Sequence, residues 1–158
     1  MGLPTNFDRM IALATETFEA HNDPQQLDVD EEIIQQLQEL HPASVSEYTV
    51  EAGPAIWILL IPTTDELREE FLEDMIGEKE LLARTPQHGP YTSVYLCSAM
   101  TLPEFRGQGL TKKLAMDALK AIRKDHPVTS LFVWNFTKEG GRLAEKIAAE
   151  QGLPLFEK

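Results

Sequence analysis

The sequence predicts an α/β (α+β) domain with a mixed central sheet flanked by helices. Three observations predict it. Four stretches carry strand-like apolar content: residues 44–52, 55–62, 91–102 and 130–136. Between them lie segments whose apolar residues recur at helical spacing. The second half also reads strand, glycine loop, helix, strand, helix, the order of a parallel crossover, which the twist of strands makes right-handed.

The elements follow in order. Phe7, Met10, Ile11, Ala14 and Phe18 share a helical stripe, with Thr5 or Asn6 as cap. A turn is expected at "HNDPQQ". Asp30 then caps a second helix, whose apolar face is Ile33, Ile34, Leu37 and Leu40. "SVSEYTVEA" alternates as a half-buried strand does. Gly53-Pro54 turns it into "AIWILLIP", an unbroken apolar run that suits a strand covered on both faces. "TTDELREEFLEDM" opens with a capping box from Thr63 and Glu66, and carries Leu67, Phe71 and Met75 on one face. Its glutamates read as the solvated side of a helix over 64–83, broken or kinked at Gly77. "TPQHGP" is a loop. "YTSVYLCSAMTL" is a strand. A helix over 109–125 turns Leu110, Leu114, Ala118, Leu119 and Ile122 inward. "SLFVWNF" is a buried strand, and a last helix over 139–151 stops at Gly152.

Composition bounds the function. With 158 residues the chain suits one domain. A net charge of −12 argues against nucleic acid and anionic membrane, which are bound by neutralising phosphate. One cysteine, Cys97, rules out an internal disulfide. "MGLPTNFDRM" has no basic-then-apolar leader, and Asn6 stands where a myristoylation pattern wants Ser or Thr. "AIWILLI" is too short to span a bilayer. The simplest expectation is a cytoplasmic protein.

The charge is segregated. Residues 1–80 hold nineteen acids and three bases. Between 106 and 124 stand Arg106, Lys112, Lys113, Lys120, Arg123 and Lys124, opposed by Asp117 alone. Gly107 and Gly109 precede a helix, whose first amides and dipole favour an anion. "GQGLTKK" is neither a P-loop nor a Rossmann loop, since no third glycine follows Gly109 at the required spacing. From these residues alone, an ordinary strand-to-helix turn with a solvated basic face fits equally well.

The longer string "LPEFRGQGLTKKLAMDAL" resembles the pyrophosphate-binding motif of the GNAT superfamily of N-acetyltransferases, R/Q-x-x-G-x-G/A. Arg106 and Gly109 hold its first two defined positions. Thr111 stands at the third, and Pro103, Glu104 and Phe105 match the preceding turn. The resemblance covers roughly residues 90–153, including "LFVWNF" and, in the closing helix, Ala144, Ile147, Gly152 and Leu153. It implies one GNAT-like domain over 1–158, with a variable acceptor side (1–85) and an acyl-CoA half (86–158). It implies a sheet shortened at its C-terminal edge, because the family usually has two strands after the last helix. It implies acetyl-CoA, or another acyl-CoA, bound without a metal. Main chain near Met100, Thr101 and Leu102 would hold the pantetheine arm. Arg106, Gly107, Gln108, Gly109, Leu110, Thr111 and Lys112 would hold the diphosphate, and Asn135 would lie at the next strand's end.

The implied reaction is direct attack of an amine on the thioester, so neither Cys97 nor a serine is needed as nucleophile. The acceptor expected is an amine of a small molecule or peptide, cationic to suit the acidic half. A homodimer is compatible with the resemblance. Ala148 stands where the family often carries a tyrosine acid, and 91–102 holds no glutamate. The proton relay is therefore expected from His88, Tyr91, Glu47 or Glu51. The alternative reading is a catalytically degenerate acyl-CoA-binding sensor or interaction module.

Overall fold

The computed structural model describes residues 5–21, 31–134 and 138–158. Its sheet has five strands in chain order: β1 (Val45–Val50), β2 (Gly53–Thr63), β3 (Ser93–Thr101), β4 (Ser130–Val133) and β5 (Leu155–Glu157). β1, β2 and β3 pair antiparallel, whereas β3, β4 and β5 pair parallel. The sheet is therefore mixed, as expected. Among the described residues six α-helices accompany it: α1 (Asn6–His21), α2 (Glu31–Leu40), α3 (Asp65–Leu72), α4 (Glu78–Arg84), α5 (Leu110–Asp125) and α6 (Lys138–Gln151).

Both sheet faces are covered, which is why β2 is apolar throughout. On one face Leu37 of α2, Leu67 and Phe71 of α3, and Leu81 of α4 pack on Leu59, Ile61, Tyr95 and Phe132. On the other, Ala118, Leu119 and Ile122 of α5 and Ile147 of α6 pack on Ile56, Ile58, Leu60, Val94 and Leu131. A smaller cluster seats Met10 of α1 on Met100 and Leu102, beside Trp57. Burying each large apolar side chain contributes about 1.5–3 kcal/mol against leaving it exposed.

Several expectations change in detail. Thr5 is the α1 cap: its hydroxyl accepts the Asp8 N–H at 3.1 Å, and Asp8 accepts the Thr5 N–H at 3.3 Å. Ile11 lies outside the inward stripe, at 45% exposure. The turn at 21–26 lies largely, and the Asp30 cap wholly, outside the described residues. The hairpin turns at Glu51 and Ala52 instead of Gly53-Pro54, because Gly53 already pairs with Val50.

The expected helix over 64–83 is two helices. Its cap is Thr64, which accepts the Leu67 N–H at 3.3 Å. Thr63 ends β2 and bonds Thr85 across a buried 2.8 Å contact. α3 stops at Leu72, so Met75 leaves its stripe and is 63% exposed. Gly77 then caps α4. The segment after Gly152 adds β5, a short strand beside β4 where the sequence reading ended the sheet. Among the described residues no helix is long and apolar enough to cross a membrane.

Candidate functional site

β3 leads into a compact turn and then α5. Pro103–Phe105 form a single 3-10 turn. Gly107 and Gly109 both adopt left-handed backbone, at φ 75° and 76°. A β-carbon at either would meet no atom within 4 Å, so the chain there borders open space. Gly109 caps α5 without a side-chain hydrogen bond. The first α5 amides thus keep the anion affinity of a helix N-terminus. The Thr101 and Thr111 hydroxyls bond at 2.6 Å and tie the end of β3 to the start of α5.

The basic residues are partly engaged. Arg106 Nε donates to the Thr101 carbonyl at 2.9 Å, which folds its side chain back along the turn. Gln108 donates to the Glu104 carbonyl. Lys112 pairs with Glu150 at 2.7 Å.

Glu104 takes Arg9 of α1 in a two-point contact at 2.6 and 2.7 Å. That hydrogen-bonded contact holds the Glu104 carboxyl down at about 2, from an ordinary 4.5. A depressed carboxyl contributes stability above its ordinary value and loses it as pH falls through the folded one. The stability difference between wild type and Glu104→Gln should therefore be constant from pH 7 to about 5 and close towards pH 2. Urea unfolding at each pH measures it. A difference unchanged down to pH 2 would contradict the pairing.

The second part of the site is where two strands separate. β3 pairs with β4 only from Ser93 to Tyr95, opposite Ser130 to Phe132. β3 itself continues to Thr101. Just past the last pair lies a bulge: Leu60 faces Leu96 and Leu59 faces Ser98, leaving Cys97 as the extra residue. From Leu96 to Met100 the edge of β3 away from β2 has no strand partner among the described residues. Further on, the Leu102 N–H bonds Ala55 and the Thr101 carbonyl accepts Arg106.

At the point of separation a carboxylate is buried. Glu78, the first residue of α4, is 2% exposed. Its Oε2 accepts the Tyr95 hydroxyl at 2.5 Å and lies 3.9 Å from Cys97 Sγ. Burial, then the Glu78 carboxylate, raises the Tyr95 hydroxyl and the Cys97 thiol well above their ordinary ranges. Cys97 is therefore a neutral thiol at pH 7 and a poor nucleophile. Sequence reasoning gave Glu78 no role of its own, because it fell within one expected helix over 64–83. A signal existed: Glu78, Leu81 and Leu82 fall three and four residues apart, which puts the acid on the apolar stripe.

The residues expected to relay protons lie elsewhere. Tyr91 is fully buried, and its hydroxyl donates to the Pro86 carbonyl at 2.6 Å. His88 is exposed in the loop before it. Glu47 accepts Trp57 Nε1 at 2.7 Å and the Thr49 hydroxyl at 2.6 Å, and Glu51 is exposed in the hairpin turn. The first pair sits beside the end of β2 and the second pair beside its start, so the fold does not bring them together. Asn135 lies outside the described residues.

Among the described residues no group of three or more metal-ligating side chains is assembled. No family model, curated protein or solved structure matches the chain.

Proposed function

We propose that this chain binds an acyl-CoA, acetyl-CoA in the simplest case, and transfers its acyl group to an amine. The observation that carries this reading is the departure of β3 from β4. The edge it leaves runs directly into the open glycine turn and the α5 N-terminus. An extended arm takes hydrogen bonds from such an edge as an added strand would. Main chain from Gly107 to Lys112 would hold the diphosphate. Arg106 and Lys113 would add positive charge at the surface.

The bound group supplies an activated acyl carbon. Glu78 and Tyr95 lie beside Cys97, where the edge begins, and a buried carboxylate there can accept a proton from an incoming ammonium. The acidic first half favours a cationic acceptor, an attraction that salt would screen.

Acetyl-CoA should raise the melting temperature equally with and without EDTA. At a ligand concentration of 100 Kd, linkage gives about 2.7 kcal/mol, or roughly 5–11 °C for a domain of this size. Gly109→Val should abolish the shift, since it puts a branched side chain at φ 76° on the open side of the turn. No shift at millimolar acetyl-CoA would overturn the reading. A shift with no acyl transfer to any amine in a broad panel would instead favour the binding module.

A further inference from the structure

We infer that Phe71, Trp134 and Asp74 form an alkylammonium-binding site, which the chain's own Lys158 fills in this structure. Lys158 Nζ lies 4.7 Å from the centre of the Phe71 ring and 4.5 Å from that of Trp134. It also pairs with Asp74 Oδ1 at 2.8 Å. The lysine side chain is only 14% exposed, although lysine is among the residues least often buried. Two aromatic rings and one carboxylate around one ammonium make a cation cage. The rings contribute their negative faces and the carboxylate contributes charge.

The cage parts are held by contacts other than Lys158. The Phe71 ring is packed by Tyr95 at 4.9 Å and Phe132 at 5.6 Å, and meets Trp134 edge-on at 6.2 Å. Asp74 is set by the turn that ends α3, where its N–H bonds the Phe71 carbonyl at 3.1 Å. The occupant is attached differently. Lys158 follows the three-residue strand β5 at the sheet edge, held by one main-chain bond to the Val133 carbonyl. Such edge segments open at low cost in free energy. The cage is thus the fixed part and the ammonium the exchangeable one.

A tethered group acts at an effective concentration of about millimolar. A soluble alkylammonium ion competes only above that level while Lys158 is present, and binds more readily once it is removed. The inference stands apart from the acyl-CoA reading, because the cage is tested with no CoA present.

The test uses Trp57→Phe protein, so that Trp134 alone reports, titrated with tetramethylammonium chloride at constant ionic strength. In the Lys158→Ala variant the emission should change saturably, with a midpoint at least tenfold lower than with Lys158 in place. tert-Butanol, the neutral analogue, should produce no such change. Adding Asp74→Asn should raise the midpoint several-fold. A folded Lys158→Ala protein with no saturable response, or with an equal response to tert-butanol, overturns the site. Wild-type protein provides a second readout that needs no variant to fold. Tetramethylammonium should speed reductive methylation of Lys158 relative to the exposed Lys113 and Lys120, read by mass spectrometry. Unchanged relative rates at a probe concentration of 0.5 M, roughly five hundred times the tether's effective concentration, count against it.

Discussion

Glu78→Gln is expected to slow acyl transfer by about 10² to 10⁴, the usual cost of removing a general base. The amide keeps the size of the carboxylate and can still accept the Tyr95 hydroxyl bond, so the fold should survive. What it loses is the capacity to take a proton where β3 separates from β4. Thiol release from acetyl-CoA across an amine panel measures the rate. The acetyl-CoA melting shift, measured beside it, should persist, which separates a chemical defect from a binding defect. His88→Ala, Tyr91→Phe, Glu47→Gln and Glu51→Gln belong in the same series. If wild type is active and Glu78→Gln stays within a few-fold of it, the relay lies elsewhere, and whichever of the four falls identifies it.

The second large effect is on stability. Phe71→Ala should cost about 3–5 kcal/mol, the range for removing a buried aromatic ring. Phe71 is fully buried and its ring is shared by Tyr95 of β3, Phe132 of β4 and Trp134 just after β4, so all three lose contact together. Tyr95 and Phe132 cannot close the gap without leaving the sheet. A melting point lower by roughly 6–20 °C is expected, with urea unfolding giving the free energy directly. A loss below about 1 kcal/mol would mean that this cluster is not close-packed.

Much of this architecture was legible in the sequence. β2 and α5 announce themselves, one by an unbroken apolar run and the other by a clear stripe between two glycines and a histidine. The glycine turn was legible for the same reason: few residues adopt left-handed backbone, so Gly107 and Gly109 advertise it. Other features left no such trace. β5 has three residues, too few for alternation to register. The Cys97 bulge is hidden because "YLCSAM" is apolar or small at both parities. The cage joins residues 71, 74, 134 and 158, whose spacing along the chain follows no local period. The position of Glu78 depended on seeing α3 stop at Leu72, a boundary that a glutamate-rich segment blurs.

The bulge at Cys97 also sets a reading frame for the sheet. Before it, odd-numbered residues of β3 face the α3–α4 side, as Tyr95 does, and even-numbered ones face α5. After it, the parity is exchanged: Met100 and Leu102 meet Met10 of α1 on the former side. Deleting Cys97 would remove the extra residue and let Ser98 follow Leu96 directly, in step with Leu59 and Leu60 of β2. Ser98 and Met100 would keep their side and Ala99 its own, because each already stands opposite the β2 residue that faces the same way. The bulge is therefore slack in the strand: β3 can lose one residue here and still deliver Met100 and Leu102 to Met10.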